Sequence, residues 1–253
     1  RDGMRMDALA YALDELERKI VRPKFIYTIP TVQNPTATIL PVERRREMLR
    51  LAHAHGVPVF GDDCYADLVW SGERPPAIYA LSEHGGVIHI GSFSKSIGPA
   101  LRVGFIVAPW AVMSRMLAIK NDGGTGALEQ MVLAEYCSGN FSKHVPALRG
   151  GLRAKLETLM ESLRQSFGDA VEFHDPKGGI FLWIKLPDSV DTAKLYQSAL
   201  AAGVAINPGP EWSVNKARAK SRMRLCFASP SHEEISQGVA TLAEVCRREF
   251  GIP

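Results

Sequence analysis

A lysine flanked by hydroxyl side chains is the part of this sequence best suited to chemistry. Ser92, Ser94 and Lys95 follow an apolar run, residues 87 to 90, that predicts a buried strand, and Arg102 comes soon after them. A lysine amine forms a Schiff base with an aldehyde, and hydroxyls with a guanidinium bind phosphate. Pyridoxal 5′-phosphate carries both groups, so the stretch predicts a site for this cofactor. From these residues alone, the alternative is a polar surface loop with a solvated lysine and arginine.

Three further motifs accompany the lysine stretch in a fixed order. They are Gln-Asn-Pro-Thr at residues 33 to 36, Asp-Asp-Cys-Tyr at residues 62 to 65, and Arg-Met-Arg-Leu-Cys-Phe at residues 222 to 227. In this order and spacing they resemble the fold-type I, pyridoxal-phosphate-dependent aminotransferases of class I and II, the class of aspartate aminotransferase. Within that class the chain most resembles the 2-aminoadipate-type branch, which also includes the aminotransferase-like domains of some bacterial regulators. The resemblance extends over nearly the whole chain.

The resemblance implies a role in cofactor chemistry for each matching residue. Lys95 matches the lysine that holds the cofactor as a Schiff base and then moves a proton, first as general base and then as general acid. Asp62 matches the carboxylate that keeps the ring nitrogen protonated, with Asp63 as the competing choice. Asn34 and Tyr65 match the residues that donate hydrogen bonds to the ring's phenolic oxygen. The phosphate ligands are matched by Ser92, Ser94 and Arg102.

An arginine near the C-terminus is predicted to bind the α-carboxylate of an amino-acid substrate. Arg222 and Arg224 lie on the same face of a predicted strand, so alternation does not choose between them. The resemblance favours Arg224, directly before the Leu-Cys-Phe run, and also gives Asn34 a place in the substrate site. The predicted catalytic residues are therefore Lys95, Asp62 and Tyr65.

One position departs from the family's pattern. Ala37 stands where the family usually has a glycine after Asn-Pro-Thr. We expect this alanine to alter the backbone of the loop without removing the Asn34 amide that acts as a donor.

Composition excludes several other classes of protein. The net charge of +3 is too small to argue for nucleic-acid binding. The four cysteines are far apart and form no CxxC pair, which argues against a zinc site and a disulfide framework and favours a reducing cytoplasm. Apart from His53 and His55 at the end of a predicted helix, the histidines show no metal-ligand spacing within one element, and no apolar run approaches the ~18 residues that cross a bilayer.

Strands that alternate with helices predict an α/β fold, with a mainly parallel sheet, flanking helices and ligands at the carboxyl ends of the strands. We assign residues 1–145 to this cofactor-binding domain and residues 146–253 to a smaller C-terminal α+β domain. Asp7 is a possible helix N-cap, and helices are predicted at 127–137 and from 143. Arg44, Arg45, Arg46 and Arg50 are interpreted as the solvated face of a helix rather than as a nucleic-acid patch.

Together these observations predict an aminotransferase that moves an amino group from an L-amino acid to a 2-oxo acid, as a cytoplasmic homodimer. The alternatives are the effector-binding domain of a GntR-type transcription regulator and another pyridoxal-phosphate reaction on the same residues. A bare α/β structural domain fits the composition but leaves four ordered motifs to coincidence. Because family members are longer and the chain begins at Arg1, we expect a fragment that lacks an N-terminal part, binds the cofactor weakly and does not transaminate alone.

Overall fold

The structure is a computed structural model that describes residues 2–252. The chain divides into two units. The first contains Thr38–Leu148 together with the chain before Pro35, and the second contains Pro35–Ala37 together with the chain from Arg149 onward. No helix within the described residues is both long enough and apolar enough to cross a membrane.

A four-stranded sheet in the order β1-β2-β3-β4 forms the centre of the first unit. Its first three strands are parallel, and β4 joins the edge antiparallel to β3. The predicted mainly parallel sheet is therefore confirmed. The strands are β1 (Ile26–Thr28), β2 (Val59–Asp62), β3 (Val87–Ser92) and β4 (Gly104–Val107).

Two helices pack against this sheet through their apolar faces, α1 (Met6–Arg18) and α2 (Val42–Ala54). Leu13 of α1 and Met48 of α2 join strand residues such as Val59 in one buried cluster. The prediction of Asp7 as the N-cap of α1 is wrong, because Arg5 holds that position and makes no capping hydrogen bond. Asp7 lies in the first turn instead, where a negative charge meets the positive end of the helix dipole.

The remaining helices of this part of the chain are α3 (Trp110–Ile119) and α4 (Ala127–Phe167). The prediction of two helices with a break after residue 137 is wrong, since α4 is continuous and contains Pro146. The residues between 137 and 143 continue the helix. The Ser138 hydroxyl, for example, donates to the Glu135 carbonyl at 2.8 Å within it.

The second unit contains an antiparallel sheet in the order β5-β6-β8-β7. Apolar residues alternate with arginines along β8, so that Met223 and Leu225 are buried and Arg222 and Arg224 lie on the other face. The strands are β5 (Glu172–Phe173), β6 (Phe181–Lys185), β7 (Asn207–Pro208) and β8 (Arg222–Cys226).

Side-chain caps define where the two helices of this unit begin, α5 (Thr192–Ala201) and α6 (His232–Phe250). The Asp191 carboxylate accepts from the backbone N–H groups at the start of α5. Ser231 and Glu234 form a reciprocal capping box at the start of α6. These caps satisfy backbone donors that the helices cannot pair internally.

Candidate active site

Three of the predicted site residues lie at, or directly after, the carboxyl ends of neighbouring strands. Asp62 ends β2, Ser92 ends β3, and Asn34 lies in the loop after β1. β2 pairs in parallel with both neighbours. Because the carboxyl ends of parallel strands meet at one edge of a sheet, the fold brings these side chains to the same edge.

Asp62 presents a half-buried carboxylate with both oxygens hydrogen-bonded. Its Oδ2 accepts from the Tyr27 hydroxyl at 2.8 Å. Its Oδ1 accepts from the backbone N–H of Cys64 at 3.2 Å. The arrangement fixes the carboxylate without closing it off, since each oxygen can accept a second hydrogen bond.

Asp63, the competing choice, faces the opposite side of the strand and is only 7% exposed. Its Oδ2 lies 3.8 Å from Nδ1 of the half-buried His89. Within residues 2–252, its Oδ1 accepts no hydrogen bond. The buried Arg45 interacts with it electrostatically, and the Asp63 charge partly opposes the lowering of the Arg45 pKa that burial causes. The geometry therefore favours Asp62 as the carboxylate available to a ligand.

The hydroxyls predicted to bind phosphate cluster at the end of β3. The Ser92 hydroxyl donates to Ser94 Oγ at 3.0 Å. It also accepts from the Ser94 backbone N–H at 3.2 Å, which turns the chain directly after the strand. One residue earlier, a Cβ on Gly91 would lie 2.1 Å from the Phe105 ring of β4, so a larger residue here would displace this ring. The Phe105 ring therefore packs directly on the strand that carries the serines.

Lys95 and Arg102 present exposed cationic groups beside these hydroxyls in the chain. The Arg102 guanidinium donates to the Pro99 carbonyl at 3.3 Å. No carboxylate within the described part of the chain forms an ion pair with either residue. Two cations without acidic partners are available to an anionic ligand.

The thiol of Cys64 indicates that Lys95 lies near Asp62. The pKa of this thiol is raised to about 12, mainly by burial and also by the negative charge and hydrogen bond of Asp62, while the positive charge of Lys95 acts in the opposite direction. Since electrostatic effects weaken with distance, the carboxylate and the amine both lie within electrostatic range of this thiol.

The loop that carries Asn34 is anchored by a buried arginine of α2. The guanidinium of Arg45 donates to the carbonyls of Pro30 and Leu40, both at 2.8 Å, and to the Thr31 hydroxyl at 3.0 Å. Arg45 has no exposed surface, whereas Arg46 and Arg50 of the same helix are exposed. The interpretation of all four arginines as a solvated face is therefore wrong for Arg45.

Within this loop, Ala37 adopts a φ of 55°, in the left-handed region that favours glycine. The expectation that alanine alters the loop backbone relative to the family's usual glycine stays a prediction. Val32, also buried, has a φ of 60°, which is unusual for a β-branched residue. Strained residues thus flank Asn34 on both sides.

Two tyrosines lie near Asp62. Tyr65 is only 8% exposed and begins a short 3-10 helix, Ala66–Leu68. Tyr27 is 49% exposed, and sequence reasoning missed it because a tyrosine in a strand is ordinarily a packing residue. Its one available signal was its place on the strand before the Gln-Asn-Pro-Thr motif.

Arg224 lies in the second unit and is held by one amide and two aromatic rings. Its guanidinium donates to Asn207 Oδ1 through Nη2 at 2.8 Å and through Nε at 3.2 Å. Its Cζ atom lies 4.2 Å from the centre of the Trp212 ring and 5.3 Å from that of Phe181. Sequence reasoning missed Asn207 and Trp212, because their contact with Arg224 depends on the pairing of β7 with β8.

The family described as aminotransferase class I and II has a sequence model that matches residues 2–242. The chain belongs to this family. A 2-aminoadipate transaminase of Thermus thermophilus is 32% identical over 251 residues, covering 97% of this chain and 62% of the relative. An HTH-type transcriptional regulator of Bacillus subtilis, YdfD, is 35% identical over 221 residues, covering 86% of this chain and 45% of the regulator.

Among solved structures, a kynurenine aminotransferase of Pyrococcus horikoshii superimposes with a TM-score of 0.92 at 32% identity. The match covers 98% of this chain and 62% of that one, which was crystallised with PMP and KYN. The likeness confirms the aspartate-aminotransferase-like α/β fold. The chain spans 62% of the length of this structure and of the transaminase.

Proposed function

We propose that the protein is a pyridoxal-phosphate-dependent aminotransferase that transfers an amino group from an L-amino acid to a 2-oxo acid. The observation that carries the proposal is the meeting of Asp62, the Ser92–Ser94 hydroxyls and Lys95 at one edge of the parallel sheet. Family membership supports the same reaction class.

The chemistry of these donors fits the proposed cofactor. The hydroxyls of Ser92 and Ser94 and the Arg102 guanidinium would hold the phosphate, and the Lys95 amine would hold the aldehyde carbon covalently. The Asp62 carboxylate would hold a proton on the ring nitrogen, because an anion nearby favours the protonated form. Asn34 and Tyr65 would donate to the phenolic oxygen.

When bound, pyridoxal phosphate supplies an electron sink that stabilises negative charge at the Cα atom of the substrate. Once the amine of the substrate has displaced Lys95 from the aldehyde carbon, the released Lys95 amine would take the proton from Cα as the general base. Arg224 binds the α-carboxylate through its planar guanidinium. The Asn207 oxygen fixes the guanidinium from one side, and the Trp212 ring packs against its face.

Replacing Arg224 with alanine should raise the KM for the amino acid by about 10- to 100-fold, the loss of one charge-assisted contact. Cofactor affinity should stay within about twofold, because Arg224 does not bind the cofactor in this scheme. Steady-state kinetics and a cofactor titration measure the two effects. Arg222→Ala is the matched control on the same strand face, and a KM effect of Arg222→Ala without one of Arg224→Ala would reverse the assignment.

A direct assay tests the reaction itself. The full-length protein is incubated with pyridoxal phosphate, 2-oxoglutarate and one L-amino acid, and glutamate formation is followed by chromatography. We propose 2-aminoadipate and kynurenine as the first donors, because relatives are named for them. Cofactor binding with no transfer to any 2-oxo acid would contradict an aminotransferase.

The regulator relative supports a second candidate, an effector-binding domain of a GntR-type transcription regulator. Such a domain would bind an amine effector on the same residues without releasing a product. Turnover in the assay above favours the enzyme, whereas binding without turnover favours the regulator. Another pyridoxal-phosphate reaction would consume the amino acid without forming glutamate.

We propose further that the protein works as a homodimer in the cytoplasm. The family's assembly and the widely spaced cysteines support this proposal. Light scattering on the purified protein tests the assembly, and a monomer at micromolar concentration would contradict it.

A further inference from the structure

Tyr27 contacts the predicted cofactor site in a way that the sequence motifs do not suggest. It lies on β1 opposite Phe60 of β2, and Asp62 follows on the same face of β2 two residues later. The Tyr27 hydroxyl donates to Asp62 Oδ2 at 2.8 Å. A neighbouring strand thus supplies a side-chain donor to the carboxylate proposed to face the cofactor ring.

The two oxygens of Asp62 are held by donors from different parts of the chain. The Cys64 backbone N–H, which bonds Oδ1, belongs to the turn that follows Asp62 itself. With that bond alone, the carboxylate could still rotate about its last side-chain torsion, for which the energy wells are broad. The Tyr27 hydroxyl bonds the second oxygen from β1, so the plane of the carboxylate is fixed by two separate points.

The phenol of Tyr27 stays protonated and remains a donor. Burial, followed by the hydrogen bond to Asp62 and the negative charge of Asp62, raises its pKa well above the ordinary value. Almost half of the side chain is nevertheless exposed, so its hydroxyl is not part of the apolar core. Removal of the hydroxyl should therefore affect the site more than the stability of the fold.

We propose that Tyr27 is a positioning residue that holds the Asp62 carboxylate toward the ring nitrogen of the cofactor. The inference rests on the proposed function, since it assigns Tyr27 a part in the same site. Tyr27 acts through Asp62 and does not itself contact the reacting atoms.

Tyr27→Phe is the test, because it keeps the ring and removes only the hydroxyl. We expect the variant to raise the Kd for pyridoxal phosphate and to lower kcat, each by about five- to tenfold, at unchanged amino-acid KM and unchanged Tm. In an Asp62→Asn background, the same substitution should change the Kd by less than about twofold, because the partner is already altered. Tyr11→Phe is the control, on a side chain that is 65% exposed on α1.

The outcomes separate this inference from the proposed function. If the wild-type protein binds the cofactor but transfers no amino group, the proposed function fails, and the affinity comparison still decides on Tyr27. Equal Kd and kcat for Tyr27→Phe and the wild type would show that Tyr27 has no such role. An equal loss in the Asp62→Asn background would show that Tyr27 acts by another route, and a full-length wild-type protein without cofactor affinity would overturn both proposals.

Discussion

Replacing Lys95 with alanine should lower the kcat of amino-group transfer by about 10³- to 10⁴-fold or more. The variant loses both the amine that holds the cofactor and the base that takes the Cα proton. Steady-state kinetics measures the loss. Mass spectrometry after borohydride reduction should find the cofactor joined to Lys95 in the wild type and absent from the variant.

Lys24→Ala is a suitable control, because Lys24 is also an exposed lysine but lies before β1. It should retain kcat within about twofold, since surface substitutions away from a site are usually nearly neutral. A Lys95→Ala variant that still turns over at the wild-type rate, or that still gives the reducible adduct, would remove Lys95 from the mechanism.

Replacing Arg45 with methionine should lower the free energy of unfolding of the first unit by about 3 to 5 kcal/mol. The guanidinium makes four hydrogen bonds, to the carbonyls of Pro30, Leu40 and Pro76 and to the Thr31 hydroxyl. Methionine fills a similar volume but leaves these groups without their donor, and the buried Asp63 loses its neighbouring positive charge. Urea denaturation followed by circular dichroism measures the change.

The exposed Arg46 next to it is the matched control, and Arg46→Met should change stability by less than about 0.5 kcal/mol. Equal urea midpoints for Arg45→Met and Arg46→Met would mean that the buried hydrogen bonds add nothing to stability. A large loss of stability in Arg46→Met but not in Arg45→Met would show that Arg46, and not Arg45, is the stabilising arginine.

Sequence periodicity predicted the strands and most of the helices because burial imposes it directly. Along β8, for example, Met223 and Leu225 alternate with arginines, and the structure buries the apolar residues. The position of Asp62 at a strand end followed from the same pattern. These features depend on neighbours within a few residues along the chain.

Features that depend on distant contacts were not predictable in this way. Four arginines in one helix look alike in the sequence, and only the carbonyls of a remote loop distinguish Arg45 from the others. The pairing of Tyr27 with Asp62 spans 35 positions of the chain and requires the register of β1 with β2.

The anchoring of the loop that carries Asn34 has a consequence for ligand affinity. The loop is closed by hydrogen bonds from the Leu40 N–H to the Pro30 carbonyl at 2.8 Å and from the Gln33 N–H to the Thr38 carbonyl at 2.9 Å. Arg45 adds bonds to both ends of the loop. Because the backbone is ordered before any ligand arrives, binding loses little conformational entropy there. Such preorganisation leaves more of the gross interaction energy as net affinity.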